Sequence, residues 1–419
     1  MAQMKHLLIL ALTLTLTCNG IAAEARWWKG NLHTHSLWSD GDDFPEMITG
    51  WYKDKGYDFL AITDHNILHN SEKWLPVTKA RNRDVAYAKY LKKWGSEWVE
   101  SKVEKGATSV RLKRLTEYRR KFEKPGEFLL IQAEEISARY LTSPIHLNAA
   151  NLRQVIQPLT GDNVVDVLQK NIDAVLKQEK ETGQPVLPHI NHPNFRWAIT
   201  AEELMQVRGE RFFEVYNGHP LVFNRGDKTH AGTELMWDIM NTRRLTELKL
   251  PLMYGLGTDD SHAYHKTDST LSNSGRGWVV VRAKELSATS LIRAMKRGDF
   301  YSSTGVELDT LKTDGKGISV AVKTKPGESF KIQFIGTLKD HDSTNKPILN
   351  AAGEKLRITH RYSGDVGKVL KEVAGSWASY QFTGKELYVR AKVISSKAQK
   401  NPIMAGDKET AWTQPQRPR

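Results

Sequence analysis

From residue 31 to about residue 281, short apolar runs alternate with stretches of helical period, the pattern of a parallel α/β domain. Pro45 and Glu46 open a helix ending near Gly56. Asp58-Phe59-Leu60-Ala61-Ile62-Thr63 reads as a buried strand with Asp64-His65 at its C-terminal end. Phe128-Leu129-Leu130-Ile131 is another, running into Glu134-Glu135. Val164, Val165, Leu168, Ile172, Val175 and Leu176 recur at helical spacing, with Gly183 past the end. Pro185-Val186-Leu187 starts a strand that reaches His189 and His192. Thr200-Ala201-Glu202-Glu203 fits a capping box, and Phe212-Phe213-Glu214-Val215-Tyr216 is a strand. Leu252-Met253-Tyr254-Gly255 leads to Asp259-Asp260-Ser261-His262. Trp278-Val279-Val280-Val281 closes the series, and residues 291–298 form a last helix.

Two stretches depart from this rhythm. Residues 72–124 are a basic, helix-prone insertion with Trp74, Trp94 and Trp98, read as a helical hairpin packed on the main domain. A sharper reading makes it a cap whose lysines and arginines attract an anionic substrate. After Gly305 the period becomes two, as in Ile318-Ser319-Val320-Ala321-Val322 and Phe330-Lys331-Ile332-Gln333-Phe334, which predicts a small antiparallel sandwich. The expected divisions are a signal peptide at 1–23, a hydrolase domain at 24–304, a β-sandwich at 305–396 and a loose polar tail at 397–419.

Charge and cysteine usage narrow the classes. The chain of 419 residues carries 61 Lys+Arg against 48 Asp+Glu, a net charge of +13. That balance favours anionic partners by long-range attraction without choosing among them. Lys5 and His6 precede an apolar stretch over residues 7–17, too short to span a bilayer, and Gly20, Ala22 and Ala23 supply a cleavage point. The expected location is therefore periplasmic or secreted, with no transmembrane segment in the mature chain. The one cysteine, Cys18, lies inside this segment, and Thr17 before it disfavours a lipoprotein. A cleaved chain then has no disulfide, thiolate ligand or cysteine nucleophile.

The chemical signal is that predicted strands end in metal-ligating residue types. His33 and His35 are two apart, so an extended segment aims both at one point. Asp40 follows in the loop; then come His65, Glu135, His146, His192, and Asp260 with His262 at the same i, i+2 spacing. On one rim of a parallel barrel such residues converge. An all-N,O set with several carboxylates suits two or three divalent ions of zinc, manganese or iron. Glu134 and Asp259 compete with their neighbours, and His189 competes with His192. Asp64 is expected to orient a ligand imidazole. Asn194 and Arg196, after the Asn191-His192-Pro193 turn, are candidates to reach an anionic substrate. His69, His219, His230 and His265 are read as surface or packing histidines.

His33-Thr34-His35, Thr63-Asp64-His65, Ala133-Glu134-Glu135-Ile136, Asn191-His192-Pro193 and Gly257-Thr258-Asp259-Asp260-Ser261-His262 resemble the ordered motifs of the PHP (polymerase and histidinol phosphatase) superfamily. The resemblance covers roughly residues 31–305. It implies a distorted (β/α)7 barrel, here followed by the β-sandwich, with a trinuclear metal centre that hydrolyses phosphoesters. Carried over, the ligands are His33, His35, Asp40, His65, Glu135, His146, His192, Asp260 and His262, with Glu135 at the bridging carboxylate. Asp260, His262 and Arg196 are the residues expected to act on substrate. The trailing β-domain and Ala411-Trp412-Thr413 resemble the exported branch that includes a carbamate hydrolase.

The expected function is hydrolysis of a small anionic phosphomonoester or phosphodiester by a metal-bridging hydroxide. The alternatives are a carboxylic or carbamic ester hydrolase on the same metals, and a non-catalytic binding protein. There is no Gly-x-Ser-x-Gly elbow, no phosphate-binding Gly-x-x-x-x-Gly-Lys loop and no specific nucleic-acid signal.

Overall fold

The computed structural model describes residues 24–418, so the signal-peptide segment and Cys18 lie outside the described residues. Strand β1 (Arg26–Asn31) leads through a loop to helix α1 (Pro45–Asp54) and strand β2 (Phe59–Ile62). The insertion holds β3 (Lys73–Pro76), α2 (Arg83–Trp94), β4 (Ser101–Glu104), β5 (Ala107–Leu112) and α3 (Leu115–Phe122). The main sheet resumes with β6 (Leu129–Tyr140) and β7 (Ser143–Ala150), followed by α4 (Val164–Thr182), β8 (Leu187–Ile190), α5 (Ala201–Leu204), β9 (Phe212–Asn217), α6 (Thr233–Arg243) and β10 (Tyr254–Thr258). Then come β11 (Trp278–Ala283), α7 (Ala288–Arg297) and β12 (Phe300–Ser303).

Local chemistry explains the helix ends. The Asn163 side chain accepts from Asp166 N at the start of α4, and Gly183 (φ 65°) stops it. Thr200 and Glu203 form the predicted capping box of α5. Val164, Val167, Leu168, Ile172 and Val175 bury one stripe of α4 in a core cluster with Leu147 and Ala149 of β7 and Phe213 of β9.

The fold is mixed α/β. β1–β2, β2–β6, β8–β9 and β9–β10 pair in parallel, but β6–β7 and β7–β8 are antiparallel. The expected helix after every strand is therefore interrupted. β6 turns straight into β7 through Leu141 (φ 52°), and β7 is not among the strands the sequence pattern predicts. Beyond the ends of β1 and β10, Asp260 N donates to His33 O and His35 N to Ser261 O, both at 2.9 Å. These two bonds join the ligand-bearing segments side by side.

The insertion differs from the helical hairpin expected. β3, β5 and β4 form a small antiparallel sheet, with Lys105 (φ 49°) and Gly106 (φ 77°) making a two-residue left-handed turn between β4 and β5. The insertion grips the main domain at Glu46 of α1, which accepts from Tyr90 Oη and from Trp98 Nε1 (3.0 Å). Burial pushes the Glu46 carboxyl up to about 7, against those hydrogen bonds. A raised carboxyl pKa makes the folded state hold its proton more tightly. Its contribution to stability is therefore present below about pH 4.5 and lost as pH rises through 7. Wild type should lose up to about 3 kcal/mol on this account between pH 5 and 8. Urea unfolding of Glu46→Gln at the two pH values should show that part of the slope removed; an unchanged slope would contradict the assignment.

The C-terminal part comprises β13 (Leu308–Thr313), β14 (Gly317–Val322), β15 (Phe330–Leu338), β16 (Asn345–Lys346), β17 (Arg361–Tyr362), β18 (Lys368–Ala374), β19 (Trp377–Gln381), β20 (Glu386–Ala398) and β21 (Lys408–Thr413). It is antiparallel, but its larger sheet is continuous with the main one. β21 lies between β12 and β20, so the segment expected to be a loose tail is an inner strand. Gln414 and Ser302 side chains also bond the backbone of Gly255 on β10. The Arg390 guanidinium is buried against Asp238 of α6 at 2.7 Å.

Candidate metal centre

The first ligand segment follows β1. Asn31 Oδ1 accepts from His33 N (2.9 Å), and the extended course of the chain turns both imidazoles inward. His33 Nε2 and His35 Nε2 lie 3.2 Å apart, and each is 3.2 Å from Asp260 Oδ1. The loop after His35 folds back on itself at Gly41, where a Cβ would stand 2.5 Å from His35 O. That close approach needs glycine and returns Asp40 to the cluster. Asp40 Oδ1 is 3.4 Å from both His35 Nδ1 and His262 Nε2, and its Oδ2 is 3.3 Å from His65 Nε2.

Glu135 occupies the middle of β6, not a strand end, and points inward from a buried position. Its Oε1 lies 3.0 Å from His146 Nδ1, 3.4 Å from His192 Nε2 and 3.6 Å from His33 Nε2. Its Oε2 is 2.8 Å from His65 Nδ1 and 3.4 Å from His35 Nε2, yet has no hydrogen-bond partner. His146 sits on the antiparallel strand β7, opposite Ser137, so it reaches the cluster from within a hairpin. All the predicted ligands fall in overlapping groups whose donor atoms could hold a metal ion; His189 and Glu214 join them.

The doublets are separated by their surroundings. Glu134 faces away and accepts from Ile156 N (2.6 Å). Asp259 accepts from the backbone N–H groups of Gly275, Arg276 and Gly277 and from Tyr52 Oη, a structural role. His192 meets Glu135, whereas His189 lies behind His33, 3.4 Å from Glu214 Oε1.

Glu214 was not singled out in the sequence, although a carboxylate amid Phe212-Phe213 and Val215-Tyr216 on a buried strand is the signal that could have found it. Its Oε1 is 2.6 Å from His33 Nδ1, and it accepts from His192 N (2.8 Å), Thr258 Oγ1 (2.8 Å) and Asn217 Nδ2 (2.8 Å). The contact places a proton on His33 Nδ1 and leaves the Nε2 lone pair facing the cluster. Asp260 O does the same for His262 through its Nδ1 (2.9 Å).

Asp64 does not orient a ligand imidazole. It accepts from Ser36 N, Ser36 Oγ and Ser39 Oγ and meets His69 Nε2 at 2.7 Å, which fixes the loop that carries Asp40. Arg196 is exposed, with its guanidinium over the Phe195 ring at 5.5 Å; among the described residues it makes no hydrogen bond to the cluster. Asn194 donates to Phe223 O and Ala231 O and so shapes the loop. Among the other histidines, His219 packs edge-on at 5.7 Å from the His262 ring, and burial lowers it to about 4. His230 stacks on Trp197. His265 meets Asp42 O.

The electrostatics show what the set demands. Burial opposes ionisation of Glu135 and Asp260, but surrounding imidazoles hold both well below the usual carboxylate range. Burial likewise opposes charge on His65, yet Glu135 and Asp40 raise it to about 11. Burial and the neighbouring His262 lower His35. Without cations, the carboxylates can be balanced only by protons on the imidazoles. Donor separations of 3.0–3.6 Å match the edges of a coordination shell with roughly 2.0–2.2 Å bonds. His35 Nδ1 and Glu135 Oε2 are buried without hydrogen-bond partners. The donor set therefore fits divalent ions that accept imidazole and carboxylate together.

No family model and no curated protein matches the chain. Solved structures do. The chain is similar to PHP-like metal-dependent phosphoesterases. One is a two-domain protein containing a predicted PHP-like metal-dependent phosphoesterase from Bacteroides vulgatus ATCC 8482, 16% identical over 93% of this chain and 95% of that one, with a TM-score of 0.39. A second, from Bifidobacterium adolescentis ATCC 15703, whose own role as a metal-dependent phosphoesterase is a proposal, is 13% identical over 58% of this chain and 92% of that one, with a TM-score of 0.31. A third is an amidohydrolase from Chromobacterium violaceum, 13% identical over 56% and 88%, with a TM-score of 0.26.

Proposed function

We propose that this chain is an exported, metal-dependent phosphoesterase of the PHP type, acting on a small anionic ester. The reading includes a distorted seven-stranded barrel, with the ring β1-β2-β6-β7-β8-β9-β10 closed by the bonds between residues 33–35 and 260–261. The observation that carries it is the meeting of His33 Nε2, His35 Nε2 and Asp260 Oδ1 within 3.2 Å of one another, beside Glu135. In this reading His33, His35, Glu135 and Asp260 share one position. Asp40, His65 and His262 form a second with His35, and Glu135, His146 and His192 form a third. Two or three divalent ions, zinc, manganese or iron, would occupy them. Such ions supply Lewis acidity and an ionised water at neutral pH.

The protein's own part is positioning. Glu214 and the Asp260 carbonyl fix the tautomers of His33 and His262, so that their Nε2 atoms are turned inward. Asn191 Nδ2 donates to Glu135 Oε1 (2.7 Å) and holds its carboxylate in one plane. His262 stands beside half-exposed Asp40 on the open side, so the position these two would share faces an incoming ester. In this reading Arg196, exposed on the loop after His192, would meet the anionic group of an incoming ester. No helix among the described residues is long and apolar enough to cross a membrane. Export rests on the reading of residues 1–23.

The test is a panel of p-nitrophenyl phosphate, its bis ester and p-nitrophenyl acetate, each with added manganese or zinc. Turnover of either phosphate ester, lost on chelation, is expected. Turnover of acetate alone would replace this reading with a carboxylic or carbamic ester hydrolase. No turnover with full metal loading would favour a binding protein.

A further inference from the structure

Beside the Asp40 loop, the insertion gathers cations that the metal cluster does not use. Lys73 on β3 donates from Nζ to Trp38 O, and Arg81 Nη1 donates to Ser39 O at 3.0 Å. These are the two carbonyls just before Asp40. Arg83, the first residue of α2, has a buried Nε with no hydrogen-bond partner. None of the three forms an ion pair among the described residues, although the insertion pairs other cations closely, such as Arg111 with Glu100 and Glu117 at 2.6 Å. Two acids adjoin them in sequence: Asp84 spends one oxygen on Val85 N, and Glu72 accepts from Trp74 Nε1 and pairs with Arg114 at 3.7 Å. The three cations also feel one another. Burial lowers Arg83, with Arg81 adding to the effect; burial lowers Lys73, with Asp64 opposing and Arg83 adding.

An exposed lysine or arginine is ordinarily a solvated surface group. Lys73 and Arg83 are half-buried, and like charges brought together out of water favour an anion between them. We propose that Lys73, Arg81 and Arg83 form a subsite for a second phosphate group of the substrate, one carried away from the bond that is cut. The insertion then sets specificity: it selects esters with a second phosphate, and places that group on the Asp40–His65 side of the centre. Which bond is hydrolysed rests on the function proposed above; the anion subsite itself does not.

The decisive comparison uses the full chain stripped of metal, with inorganic phosphate as the probe and calorimetry in chelator at low ionic strength. Arg83→Ala breaks no hydrogen bond in the structure and should weaken phosphate binding at least about fivefold. Arg81→Ala combined with Arg83→Ala should weaken it further. Absence of phosphate binding by wild type, or equal binding by both variants, would overturn the subsite. A kinetic arm separates this from the hydrolytic reading. Arg83→Ala should raise KM for hydroquinone bisphosphate but not for phenyl phosphate, with kcat unchanged; equal KM changes for both would count against a second-phosphate site. If neither ester is turned over, the hydrolytic reading fails while the binding comparison still decides the subsite.

Discussion

Glu135→Ala is expected to reduce phosphoester hydrolysis by at least about a thousandfold, roughly 4 kcal/mol of transition-state stabilisation. The reason is connectivity. Its two oxygens face His33, His35, His65, His146 and His192, so one carboxylate joins five imidazoles delivered by four chain segments. Removing it deletes a ligand from more than one position at once and leaves the imidazoles with less negative charge to balance any bound cation. Bound metal should fall with activity, while the circular dichroism of the fold stays the same. Retained activity with full metal content would place the chemistry elsewhere. Glu135→Gln should be nearly as damaging, since the amide keeps the shape and loses the charge.

The second large effect is predicted for a residue that is not itself among the predicted ligands. Glu214→Gln should lower metal affinity by about 10- to 100-fold. Glu214 Oε1 receives the His33 Nδ1 proton at 2.6 Å, and Oε2 receives His192 N at 2.8 Å. The carboxylate is held well below its usual range; burial opposes this, and His33 leads the groups that overcome it. A neutral amide no longer selects the tautomer that leaves His33 Nε2 free. Activity of the variant should be rescued by raising the metal concentration, a readout that simple misfolding would not show. An unchanged metal affinity would reduce Glu214 to a packing residue.

The sequence made the pairs legible and their surroundings less so. His33/His35 and Asp260/His262 could be read because a spacing of two in extended chain needs no knowledge of tertiary structure. Glu134/Glu135 could not be separated from sequence alone. Neighbours in a strand face opposite ways, and only the position of β6 in the sheet says which face is inside. Asp259 looked equivalent to Asp260 until the three backbone N–H groups of Gly275, Arg276 and Gly277 were seen to claim it. Asp64 was expected to act on an imidazole ligand and instead holds Ser36 and Ser39, contacts set by how the loop folds back at Gly41.

The alternation of strand and helix was readable where helices carry a full apolar stripe, as in α4, and failed where short strands meet in hairpins. The turn at Leu141 and the Lys105-Gly106 turn lack the Asn-Gly or Asp-Gly signal that marks such connections. The same limit concealed β21. A six-residue strand followed by Gln414 and prolines reads as a tail, and only its pairing with β12 and β20 makes it interior.

The central claim is met most directly by elemental analysis of the purified chain, with activity followed through chelation and metal return. Two or three zinc, manganese or iron ions per chain are expected, with hydrolysis abolished by exhaustive chelation and restored by the same metal. Protein that carries no transition metal and works equally well in chelator would contradict it.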